Sequence, residues 1–158
     1  MNTAHLHLIT NHLPVLGLAF SAISLIWGMY KNSRNTLLLA FSLVLISALG
    51  GFIAGNTGEG AEEAVEKMIG ISHEAIHEHE EAAEAAMPFI IASGILSMVA
   101  GFLLIKNHTY SKISQWLLLL SVVTGCSLSA RAGLLGGKIR HSPEINADTS
   151  DHETEHED

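Results

Sequence analysis

TLLLAFSLVLISALGGFIA, residues 36–54, decides the fold. No charged side chain interrupts it, and it has about the length that one helix needs to cross a bilayer core of roughly 30 Å. An amphipathic helix of a soluble domain would bring a polar stripe every three to four residues, and none recurs here. Working outward, three further blocks of the same kind appear. Residues 12–30 read HLPVLGLAFSAISLIWGMY, residues 84–105 read EAAMPFIIASGILSMVAGFLLI, and residues 113–135 read ISQWLLLLSVVTGCSLSARAGLL. The expected fold is therefore all-α, a four-helix transmembrane bundle, with residues 1–141 as one membrane domain. The opening MNTAHLHLITNH lacks the basic region of a cleavable signal, so the first span is expected to remain as a helix.

Short polar turns, KNSRN at 31–35 and KNHTYSK at 106–112, join the first span to the second and the third to the fourth. The connection between the second and third spans is long. GNTGEG at 55–60 is expected to break the apolar run, with Thr57 as a helix cap, and residues 55–83 to form a charged helical loop broken near Gly70. The tail 142–158 has few apolar residues and high charge and is expected to be disordered. Four spans put both termini and the 55–83 segment on one side. Lys31, Arg34, Lys106 and Lys112 crowd the two short turns, beside Trp27, Tyr30, Tyr110 and Trp116. Lys67, Arg131, Lys138 and Arg140 on the other side tie the basic count, so its density in the short turns decides: the turns are expected in the cytoplasm and the acidic side outside, in an inner (cell) membrane, with the aromatics as an interfacial belt.

The chain of 158 residues has a net charge of −8, and its acids are segregated. None precedes Glu59; nine lie between Glu59 and Glu84, and seven between Glu144 and Asp158. Such a surface excludes nucleic acid as a partner, because phosphate binding needs basic groups. The lone Cys126 excludes a disulfide framework and reads as a small buried apolar residue.

Nine of the ten histidines share the acidic side: His5, His7, His12, His73, His77, His79, His141, His152 and His156, with His108 opposite. His5 and His12 are seven apart, His73 and His77 four apart, so each pair falls on one helical face. Two chemistries suit this set. His12 and His79 are the expected axial ligands of a b-type haem serving electron transfer, with His5, His7, His77 and His141 as substitutes and Arg131, Lys138 and Arg140 for propionates. Alternatively His73, His77, His79, Glu80 and Glu59 hold a transition metal (zinc, copper or nickel), aided by Glu62, Glu63 and Glu81. A structural or accessory subunit, with a redox or membrane-complex partner or as a homo-oligomer, is a third reading. His73-Glu74-Ala75-Ile76-His77 spells the zinc-peptidase pattern, but so His/Glu-rich a segment produces it by chance and no third-ligand motif follows. Glu74 and His77 fit half of a di-iron site whose second half is missing. No catalytic residue is expected.

Pro14 and Pro88 lie just inside the membrane from these histidines. Each either sits in a first helical turn, where proline is harmless, or kinks its helix and opens a pocket. Gly133, Gly136 and Gly137 would allow close approach or a helix C-cap. His12-Leu13-Pro14 and Met87-Pro88, and the Lys-Asn pairs at 31–32 and 106–107, recur at an offset of 74–75 residues. Two hairpins entering from one side would be related by an axis along the membrane normal; apolar helices also resemble one another by chance.

AHLHLITNHLP (4–14), TGEGAEE (57–63), EHEEAAE (78–84) and GGKIRHSPEI (136–145) together resemble a family of small bacterial four-helix membrane proteins, domain of unknown function 2231. The resemblance covers about residues 4–145. It implies the four-span topology and points to His12, Glu59, His79, Glu80, Arg140 and His141. The inward histidines are also similar to those of membrane b-type cytochromes, with room for one haem at most.

Overall fold

The structure is a computed structural model that describes residues 3–66 and 73–139. The expected break near Gly70, Arg140, His141 and the tail lie outside the described residues. Among the described residues the chain is all-α. Helix α1 (Thr3–Thr10) leads through a π-helical turn (Leu13–Gly17) into α2 (Leu18–Lys31); α3 (Arg34–Glu66), α4 (His73–Ile105) and α5 (Ser111–Ile139) follow. Four helical segments, within residues 5–31, 34–62, 73–105 and 111–138, are long and apolar enough to cross a membrane.

The helices pack in a ring, each span against the next and α5 back against α2. Leu18, Leu25, Val44, Leu118 and Val122 form the centre. Phe20, Ile23, Leu49, Phe102 and Leu120 point outward, more than 60% exposed. In water that surface would drive aggregation, whereas in lipid it is the natural exterior. Small residues set the helix spacing, as is usual where lipid gives helices no hydrophobic reason to associate. A methyl at Gly94 would lie 2.9 Å from Ala48 Cβ, and one at Gly17 would collide with Ser47. Buried serines return their protons to their own helices: Ser21 to the Gly17 carbonyl (2.6 Å) and Ser47 to Leu43 (2.7 Å). Ser93 and Ser121 meet across α4 and α5 at 2.9 Å.

Two expectations change. GNTGEG does not break the second span; α3 runs through it to Glu66. Its glycines serve packing: Gly51 and Gly55 face α4, where side chains would strike Ile90 and Met87. Thr57 is no cap either. Its hydroxyl donates to the Ile53 carbonyl at 2.9 Å, inside the helix. Residues 4–11 continue the first span rather than standing apart from it: its helix starts at Thr3, and the π turn joins α1 to α2. Pro14 has no N–H for the Thr10 carbonyl, and the chain widens there to the longer π repeat. Pro88 likewise lies inside α4. Both prolines are internal, yet no pocket opens between them. The α3 backbone fills that space, since a methyl at Gly51 would lie 2.8 Å from Ile90 and 3.4 Å from Pro14.

Candidate functional site

Helices of 29 and 33 residues exceed the roughly 20 that a bilayer core accepts. At the turn end the chain closes at once, so the surplus projects from the other end. There α1, the last turns of α3, the first turns of α4 and the last turns of α5 carry the histidines and carboxylates. Glu62 lies eight residues beyond Ala54, where the apolar run stops, hence about 12 Å further out.

Three histidines use Nδ1 in the same way. His7 meets the Ala54 carbonyl of α3 at 2.9 Å, and His79 meets the Ala132 carbonyl of α5 at 2.8 Å. His12 meets the Leu8 carbonyl of its own segment at 2.9 Å. A carbonyl oxygen only accepts, so Nδ1 carries the proton in each, and Nε2 alone remains for a proton or a metal. His5 and His12, the pair chosen by sevenfold spacing, are exposed; His7 is the one that turns inward to α3.

Residues on the first turns of α4 diverge. His79 faces α5. Glu80, 100° further round, turns towards α3 and is hydrogen-bonded to Glu62. His77 lies 3.5 Å from Glu81, one turn on, with both side chains largely in water. Glu59 is exposed. The Glu62 carboxyl is held above its usual range, first by the hydrogen bond with Glu80, then by partial loss of water and by Glu80's charge; His73 and His77 pull it down. Glu62 therefore gives up its proton at a higher pH than an isolated carboxyl would.

The expected ligand sets are not assembled. Among the described residues no three of His, Cys, Asp and Glu converge closely enough to hold a metal ion, so His73, His77, His79, Glu80 and Glu59 do not form one cage. The paired-haem geometry fails on depth. Leu13 packs on Gly50, and the adjoining Gly51 touches both Pro14 and Ile90, so Pro14 is near the depth of Ile90 and His12, two residues earlier, lies about 3 Å further out. His79 precedes Ile90 by 11 residues of one helix, about 16 Å outward. Axial nitrogens on one iron sit roughly 4 Å apart, twice a metal–imidazole bond. His12 and His79 therefore do not fit as a pair on one haem. Arg131 is exposed, in a shallow groove of α5 with Leu134, Leu135, Gly137 and Lys138. Gly136 lies inside α5, where a methyl would come 3.1 Å from the His79 ring, so it provides close approach, with no cap formed there.

Glu62 gained its importance only here. Its count among nearby acids gave no sign that it would meet Glu80, because that contact depends on α3 continuing past Gly60. Comparison with family models, with curated proteins and with solved structures found no match to this chain.

Proposed function

We propose that the chain is a multi-pass protein of the bacterial inner membrane whose extracytoplasmic His/Glu module takes up a divalent transition metal, zinc, copper or nickel, for sensing, buffering or transfer. The observation that supports this is the Glu62–Glu80 pair, two carboxylates from different helices close enough for each to feel the other's charge, with His73 and His77 near enough to act on them electrostatically. A divalent cation between them would relieve that repulsion, and imidazoles of α4's first turns would supply further ligands by a change of rotamer. The test uses the full chain in detergent, dialysed against a weak chelator and titrated with zinc, nickel and copper. One metal per chain is expected, with roughly one proton released and affinity at least about tenfold lower in Glu62→Gln and in Glu80→Gln. Failure to retain metal, or wild-type affinity in both variants, overturns the proposal.

A second reading is a b-type haem for electron transfer with a redox partner. It is favoured by His79, half-buried between α4 and α5, whose Nδ1 is committed to Ala132 and whose Nε2 is left for iron. In that reading His79 is the ligand and His12 is not its mate. Purification after growth with ample haem, and an absorption spectrum without a Soret band, would end it. Loss of both readings leaves an accessory membrane subunit or a homo-oligomer, recognised by what co-purifies.

A further inference from the structure

The turn of the first hairpin ends α2 on Asn32 in the left-handed conformation, φ 49°. Its amide donates to Met29 O at 3.3 Å and that of Ser33 to Gly28 O at 2.9 Å. The turn of the second ends α4 on Asn107, φ 51°, with Asn107 donating to Leu104 O at 3.2 Å and His108 to Leu103 O at 2.9 Å. Every hydrogen bond of this Schellman closure recurs 75 positions later, and the Lys-Asn pair at its centre is the same in both, although Gly28, Met29 and Ser33 give way to Leu103, Leu104 and His108. Pro14 and Pro88, both internal to their helices, recur at 74. The packing repeats too: α3 lies against α4, and α5 against α2 and the π turn, contacts that exchange when one hairpin is rotated onto the other.

One more element recurs. His7 donates to Ala54, with Gly58 one turn further on facing the ring edge at 3.9 Å. His79 donates to Ala132, with Gly136 one turn further on against the ring at 3.1 Å. Relative to a 75-residue offset, the second histidine comes three residues early and its alanine and glycine three residues late. Both partners have thus moved one turn outward together, which leaves the register between the two helices of the hairpin unchanged.

We infer that the chain is a tandem repeat of one helical hairpin, related by a pseudo-twofold axis along the membrane normal, and that His7 and His79 are equivalent latches, each closing the outer end of its hairpin onto a backbone carbonyl. The latch survives protonation, because Nδ1 keeps its hydrogen when Nε2 gains one. Chemistry at each latch is confined to Nε2. The inference stands whether or not a metal binds at Glu62 and Glu80.

The test reads the tautomers first. Nitrogen-15 spectra of the full chain in detergent, assigned by single substitutions, should find the neutral rings of His7 and His79 both protonated on Nδ1. Protonation on Nε2 in either ring overturns the inference, and this measurement needs no altered protein to fold. The second arm is amide exchange. An asparagine amide reaches the position of Nδ1, a glutamine amide that of Nε2. Exchange over residues 130–136 should rise roughly tenfold in His79→Gln and stay within about twofold of wild type in His79→Asn; His7 should do the same for residues 52–58. Equal behaviour of the asparagine and glutamine variants, or a response at one latch alone, overturns the inference.

Discussion

At the turn end of the bundle, each pair of helices closes within two to five residues, and at the outer end the helices run on for several turns beyond the apolar band. The turn end is sealed by local chemistry: left-handed asparagines, and Lys31 over the rings of Trp27 and Tyr30 at 5.1 Å each. Arg34 reaches from α3 to the Ile105 carbonyl at 3.4 Å and ties the two turns together. The outer end is joined by contacts between residues far apart in sequence: His7 to Ala54, His79 to Ala132, Glu62 to Glu80. A closed end needs turn residues and an interfacial belt. An open end needs side chains that reach across helices, and those side chains are also the ones able to bind a proton or a metal.

The largest effect expected from this contrast is all-or-none. In a Cys126→Ala background, a membrane-impermeant maleimide should label the Glu59→Cys variant on intact cells and the Ser33→Cys variant only after lysis. The reverse pattern overturns the orientation, and labelling of both breaks the even number of spans.

A smaller effect separates the packed interior from both ends. Gly94→Val drives a branched side chain into Ala48 of α3 and should cost about 2–3 kcal/mol, read as a lowered unfolding midpoint in detergent. Ile95→Val, the next residue and lipid-facing, should cost less than about 0.5 kcal/mol. Similar losses at the two positions would mean that α3 and α4 do not meet at their small residues.

The smallest effect belongs to the outer end and concerns pH. Glu62 is raised in the folded protein, so its contact with Glu80 is strongest at acid pH, where Glu62 keeps its proton, and weakens as pH rises through the raised value. The pair is exposed and screened, so the change amounts to about a few tenths of a kcal/mol. Protection of the amides over residues 55–62, taken relative to their intrinsic exchange at each pH, should therefore fall slightly from pH 4 to pH 7, and Glu62→Gln should flatten the profile. Bound metal reverses the slope, because binding strengthens as protons leave. A flat wild-type profile without metal would remove the upward shift of Glu62.

Span number and the identity of the spans were legible in the sequence, since 36–54 and its three companions carry the signal residue by residue. The polar end was legible as a composition: His and Glu gathered beside the same membrane face. Periodicity misjudged its arrangement. Sevenfold spacing favoured His5 with His12, but α1 ends at Thr10 between them, and His7 is the residue that reaches α3. Glycines at 55, 58 and 60 read as a break in an isolated chain, whereas the bundle uses Gly55 to admit Met87 and continues the helix.

Sequence alone determined that this chain lives in lipid with a charged, titratable end, because the cost of burying polar groups in hydrocarbon is local to each residue and adds up along the chain. Tertiary structure alone decided which of those groups meet. His12 and His79 looked equivalent as ligands until helix register set them about 13 Å apart in depth. Glu62 found Glu80 only once α3 and α4 were packed side by side. Register and rotation are properties of helix pairs, set by small residues at their crossings, and no single stretch of sequence contains them.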